Sequence, residues 1–314
     1  MTIMEAFATT LPVLMLVGLG MLLRRSAFFK PGMADEIKKL VVNITMPLVL
    51  YGAFATMQFE AKYAAVVVLM FTLCVLVLAG AALFRRTRPG LSAYAPFLMA
   101  GFENGMMGYA IFGAVFGSAQ LSKFAVVDLG QVIFVFFVML TAMDQLTAHR
   151  RSAGELLGGF LRTPAILGIL VGILANLSGL HTALENFALT SALIKTAALL
   201  AGLTMPLVGL VLGLELNLKP GRLAAPLQTA LLRLALWVGL GVLINRFVIA
   251  GWLGLDAGFQ AAVMLMFVMP APFVIPLFLK NAPEHEKAYI LNTLTFSTLL
   301  ALVGVVLVRV FYPI

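Results

Sequence analysis

The sequence predicts an all-α integral membrane protein of ten transmembrane helices arranged as two inverted five-helix repeats. Three observations predict it. Hydrophobic residues make up 62% of the 314-residue chain and charged residues 11%, against roughly half and roughly a quarter in a soluble domain, so the solvent must largely be lipid. The pentapeptide Thr45-Met46-Pro47-Leu48-Val49 returns unchanged as Thr204-Met205-Pro206-Leu207-Val208, each copy setting a proline inside a long apolar run. Paired helix breaks in corresponding positions of two halves are the sequence signature of a secondary transporter.

A span needs roughly 20 apolar residues at about 1.5 Å each. Ten candidates follow in order: 6–23, 38–58, 62–84, 94–116, 123–146, 162–180, 192–214, 226–249, 259–280 and 288–311. The largest connection, around 147–161, holds His149, Arg150, Arg151 and Glu155 and divides the chain into halves 1–150 and 151–314. Five spans per half is an odd number, so the second half starts on the opposite side of the membrane and the repeats are inverted. Most of the 21 Lys and Arg fall after spans 1, 3, 5, 7 and 9, among them Arg24, Arg25, Arg85, Arg86 and Arg88. The positive-inside rule therefore places both termini outside. Glu5 precedes the first apolar run and Arg24-Arg25 follow it, the reverse of a cleavable signal, so this segment is expected to remain as a span. The net charge of +8 sits in these short clusters and sets orientation, which argues against a nucleic-acid partner. The single cysteine, Cys74, lies among Leu73, Val75 and Leu76 and excludes an internal disulfide and any Cys-based metal site.

Two spans carry helix breakers. Span 4 contains Gly101-Phe102-Glu103-Asn104-Gly105-Met106-Met107-Gly108, and each glycine costs about 1 kcal/mol of helix relative to alanine. Span 9 contains Met269-Pro270-Ala271-Pro272-Phe273-Val274-Ile275-Pro276, where each proline removes a donor and frees a carbonyl one turn earlier. Unpaired backbone at membrane depth persists only where protein or a wet cavity satisfies it, so a cavity is expected near the midplane. Gly101, Gly105 and Gly108 also fit close helix packing through small residues.

Asn43-Ile44-Thr45-Met46-Pro47-Leu48 resembles the Asn-x-x-Leu-Pro stretch of the auxin efflux carrier family. Asn104-Gly105-x-x-Gly108 is similar to that family's Asn-x-Gly-x-x-Gly-x-Pro stretch, one residue shorter after the Asn, and Asp128-Leu129-Gly130-Gln131 to its Asp-Leu-Gly-Asn stretch. The match runs in order along essentially the whole chain. One departure is that the family's span-4 proline falls on Ala110, which leaves that break to glycine alone. The resemblance implies a fold shared with bile-acid sodium symporters and plant PIN proteins, in which spans 1, 2, 6 and 7 form a scaffold. Spans 3–5 and 8–10 would form a moving transport domain, with broken spans 4 and 9 crossing at the substrate site. It further implies a carrier of the bacterial inner membrane, moving small organic anions such as malonate, malate-like acids or auxin by an elevator motion. A homodimer through the scaffold is a further implication.

The residues agree with an anionic substrate, because a broken helix presents free N–H groups and a positive dipole end. Substrate-binding candidates are Asn104, Gly105, Gly108, Pro270 and Pro272 at the breaks, with Asn43, Gln131 and Asn292 from neighbouring spans. Thr293, Thr295, Ser297 and Thr298 add hydroxyls, which in membrane helices usually bond the carbonyl one turn back. Glu103 stands about nine residues into its span, roughly 13 Å from its start, where a charge costs about 3 kcal/mol. An ionised Glu103 would repel a carboxylate and a protonated one would not, so Glu103 is the candidate carrier of a coupling proton, with Asp128 second. A structural pair of Glu103 with Lys123 or Arg233 is the other reading. Sodium coupling would use the oxygens of Asn104, Asp128, Gln131 and Asn292. Neither an enzyme nor a cofactor is expected. His285-Glu286 lacks a second histidine at Tyr289, so there is no H-E-x-x-H site, and His149, His181 and His285 all fall in predicted connections. A membrane sensor without transport activity is a further alternative, which needs no polar cavity.

Overall fold

The computed structural model describes residues 3–26, 28–30, 32–88, 90–146, 152–279 and 282–314; His149, Arg150 and Arg151 lie outside them. Among the described residues the fold is all-helical, without strands. Seven helices among the described residues are long and apolar enough to cross a membrane: α1 (Met4–Arg25), α2 (Met33–Ala55), α3 (Lys62–Thr87), α6 (Ser118–Asp144), α9 (Ala188–Glu215), α10 (Ala224–Trp252) and α12 (Glu284–Phe311). An eighth is reached if α7 (Gly154–Arg162) and α8 (Pro164–Leu177), bent by 69° against each other, count as one. Predicted spans 4 and 9 are not continuous helices. The first is split into α4 (Ala95–Met99) and α5 (Tyr109–Phe116), which a wide helical turn, Asn104–Gly108, leads into directly, and the second keeps only α11 (Ala257–Val268) and a single tight turn, Ile275–Phe278. Their breakers prevail because each backbone change is local and the neighbouring helices supply partners for the freed groups.

The predicted connection around Glu155 is instead helix α7. Ser152 Oγ accepts from the Glu155 N–H at 3.2 Å, and the Glu155 carboxylate accepts from the Ser152 N–H, a reciprocal cap that starts the helix. Pro164 then opens α8 at the position where its missing N–H costs least. His181 and His285 likewise lie in helices, Leu180–Glu185 and α12.

Glycines set which helices touch. A Cβ on Gly213 of α9 would lie 2.0 Å from Val17 O of α1, and one on Gly20 would lie 2.2 Å from Leu210 O. The same closeness joins α8 to α2, where a Cβ on Gly168 would meet Pro47 O at 2.4 Å, and α6 to α3, where one on Gly130 would meet Val67 O at 2.1 Å. Backbones this near gain dispersion contacts that larger residues forbid, which is how helices associate where lipid removes the hydrophobic drive. α12 packs against α10. The two copies of the repeated pentapeptide meet inside the bundle, where the Thr204 hydroxyl donates to the Thr45 hydroxyl at 2.9 Å and both residues are buried. The outer surface stays apolar, with Leu189, Leu199, Trp252 and Leu307 exposed.

Candidate functional site

Two backbone breaks cross. After α4 the chain runs extended through Ala100, and Gly101 takes φ +70°, a left-handed conformation that strains any residue with a Cβ. Glycine alone therefore does break predicted span 4. Opposite it, Met269 leaves α11 in an extended conformation. The Glu103 N–H donates to Pro270 O at 2.9 Å, and a Cβ on Gly101 would lie 3.0 Å from the Pro272 ring. Pro270 and Pro272 are thus buried parts of the crossing, the first through its carbonyl and the second through its ring.

Glu103 holds the crossing together. Its Oε2 accepts from the Phe273 N–H at 2.7 Å and its Oε1 from the Met106 N–H at 3.1 Å. One carboxylate thus caps the helical turn that begins at Asn104 and also takes a backbone donor from the other break, the work expected of a carboxylate at a helix amino terminus. Among the described residues no ion pair includes Glu103. Lys123 Nζ instead meets Asp256 Oδ2 at 2.6 Å, and Arg233 points to backbone carbonyls.

Three of the predicted polar residues converge. Asn104 Nδ2 donates to Asp128 Oδ1 at 2.8 Å, and Gln131 Nε2 donates to the same oxygen at 3.0 Å and to Phe102 O at 3.2 Å. All three are at least 97% buried. Gly108 leaves room for this cluster, since a Cβ there would lie 2.8 Å from both Asn104 Oδ1 and the Phe124 ring.

Asn43 and Asn292 stand elsewhere. Asn43 is exposed and donates to Lys39 O within its own helix. Asn292 is buried on α12, where its amide accepts from the Lys219 N–H at 2.6 Å and donates to Lys219 O at 3.0 Å. It pins the connection that follows α9. Thr293, Thr295 and Thr298 bond carbonyls one turn back, as membrane-helix hydroxyls do.

A cavity of about 850 Å³ rises from the crossing, with Glu103, Gly105, Met106 and Asp128 in its wall. It reaches Arg24, Lys38, Glu215 and Lys219, the basic face of the molecule. At that mouth Arg24 Nη1 donates to Leu216 O at 2.6 Å and Lys38 pairs with Glu215 at 2.5 Å. A second cavity of about 610 Å³ touches the other end of α9, at Ile194 to Met205, and the far part of α2. Tyr109 borders both cavities. In the second cavity the Tyr51 hydroxyl and His181 Nδ1 lie 3.0 Å apart, and His181 is buried. Sequence reasoning passed over both tyrosines, because an aromatic residue in an apolar chain carries no signal of its own.

No family model matches the chain. A protein of Methanothermobacter thermautotrophicus described as an uncharacterized transporter is 27% identical to it over 235 residues, which cover 70% of each chain.

Proposed function

We propose that this chain is a secondary carrier for small organic anions such as mono- or dicarboxylates. The observation that carries the proposal is the crossing itself, two backbone breaks forming the floor of a cavity that reaches one face of the membrane bundle. Backbone donors at such breaks suit carboxylates. The similarity to an uncharacterized transporter supports the general class. Cavities at opposite ends of α9, with Tyr109 between them, support alternating access.

The glycine-locked contacts of α1 with α9 and of α2 with α8 support a four-helix scaffold, and the glycine-locked contact of α3 with α6 together with the packing of α10 against α12 supports a separate moving body. The contact between Thr45 and Thr204 supports two inverted repeats. The resemblance to auxin efflux carriers is what supports an elevator motion, the bacterial inner membrane and a homodimer through the scaffold, and the distribution of Lys and Arg is what supports termini that face outside. Glu103 is the candidate coupling group. Its carboxylate already occupies the Phe273 and Met106 donors, so a substrate carboxylate takes them when Glu103 accepts a proton. Asp128 is the second candidate.

Counterflow of labelled mono- and dicarboxylates into proteoliposomes, with pH and Na⁺ gradients imposed separately, tests this. Saturable exchange stimulated by a pH gradient is the expected result. Exchange that required Na⁺ would move coupling to the oxygens of Asn104, Asp128 and Gln131. Absence of exchange with every carboxylate would overturn the substrate class.

A further inference from the structure

Arg233 is the buried charge for which the crossing chemistry above has no use. It sits within α10 at 2% exposure, where a cation costs several kcal/mol unless it is fully partnered. Among the described residues no ion pair includes it, and Glu103 is turned to the N–H groups of Phe273 and Met106. Its partners are backbone carbonyls. Nη1 donates to Leu98 O at 2.9 Å, and Nη2 donates to Gly101 O at 2.5 Å and to Met269 O at 3.3 Å. The first two carbonyls are freed by one break and the third by the other.

The surroundings fix the guanidinium in place. Its carbon stands 5.0 Å from the Phe102 ring centroid, close enough for cation–π attraction. That ring packs edge-on against Trp237, whose Nε1 donates to Met99 O at 2.8 Å. One face of α10 thus serves four carbonyls at the ends of the interrupted helices. Freed carbonyls at half-helix carboxyl ends carry partial negative charge. In broken-helix transporters they are the groups that hold a coupling cation. Here a side chain supplies the positive charge, and its planar fork reaches several oxygens at once, which an ammonium cannot do.

We propose that Arg233 is a tethered counter-cation that takes the place of a bound monovalent cation at the Leu98, Gly101 and Met269 carbonyls and locks the two breaks together. This part of the crossing then assembles from the chain alone, at any Na⁺ concentration. The role is one of positioning and does not depend on the transport proposal.

The test follows thermal unfolding of the purified full-length chain in detergent at matched ionic strength, in choline chloride, sodium chloride or methylguanidinium chloride below denaturing concentration. Arg233→Ala leaves a guanidinium-sized gap. Its midpoint should fall, and methylguanidinium should restore at least half of the loss while choline restores none. Arg233→Met fills the gap without charge, so it should fall and stay low. Arg233→Lys should lie between wild type and Arg233→Met, and this ranking decides the matter if the alanine variant yields no folded protein. A methionine variant as stable as wild type or more stable than the lysine variant would overturn the proposal. So would an alanine variant that choline restores as well as methylguanidinium, or that no cation restores. Transport is not measured in any arm, so failure of the anion-carrier proposal leaves this test intact.

Discussion

Replacing Glu103 by glutamine keeps the size of the side chain and removes its charge. The carboxylate accepts two backbone N–H bonds, from Phe273 at 2.7 Å and from Met106 at 3.1 Å. A glutamine has one carbonyl oxygen. If that oxygen keeps the shorter bond, the Met106 N–H faces an NH₂ group and loses its acceptor. A buried donor left without a partner costs about 1–3 kcal/mol, and the surviving bond drops from the charged class to the neutral one, about 1 kcal/mol weaker. The expected destabilisation is therefore about 2–4 kcal/mol, measured by unfolding of the detergent-purified variant. In proteoliposomes Glu103→Gln should retain counterflow and lose its response to a pH gradient. A variant of wild-type stability would refute the capping argument, and undiminished dependence on the pH gradient would refute the coupling role.

Gly213→Ala places a methyl 2.0 Å from Val17 O, so α1 and α9 must separate. A loss of about 1–3 kcal/mol is expected from overpacking, read as a lower unfolding midpoint. Gly239→Ala, with nothing within 4 Å of its new Cβ, should instead be neutral or gain up to about 1 kcal/mol of helix propensity. Asn292→Ala removes both bonds to Lys219. It should speed proteolysis between Asn217 and Arg222. Asp256 lies ahead of α11. Burial pushes its carboxyl up, but the hydrogen bond from Lys123 and the Phe259 N–H outweigh burial and hold it below the ordinary 3.8. A depressed carboxyl stabilises the fold above its ordinary value, and that contribution disappears as pH falls through the lowered one. Asp256→Asn should therefore flatten the acid limb of the stability–pH curve. An unchanged limb would remove Asp256 as its source.

What was legible in the sequence is local. Gly101 and Pro270-Ala271-Pro272 announce their breaks because glycine and proline act on their own backbone, whatever surrounds them. Asn104, Asp128 and Gln131 stood out as polar residues in apolar runs and do assemble. Asn43 and Asn292 stood out equally and do not join them, because which side of a helix meets a cavity depends on neighbours far along the chain. Arg233 reads in the sequence as a partner for Glu103, because the backbone carbonyls it actually meets leave no residue pattern. The capping pair Ser152 and Glu155 was there to be read and would have predicted α7. His181 is buried because Tyr51, 130 positions earlier, lies against it, and no local signal encodes that.

The hydrogen bond between Thr45 and Thr204 joins corresponding members of two identical pentapeptides. A hydroxyl pair bonds only if one oxygen gives its proton and the other receives it. The copies therefore cannot behave alike at this point, however alike they are in sequence. One threonine spends its proton on its counterpart, and the other keeps a proton to place elsewhere. Duplication produces two equal side chains, and the contact between them makes them unequal. Valine, close in shape but without a hydroxyl, would break the bond from either position, yet the two substitutions need not be equivalent: at 204 it removes the giver, and at 45 the receiver.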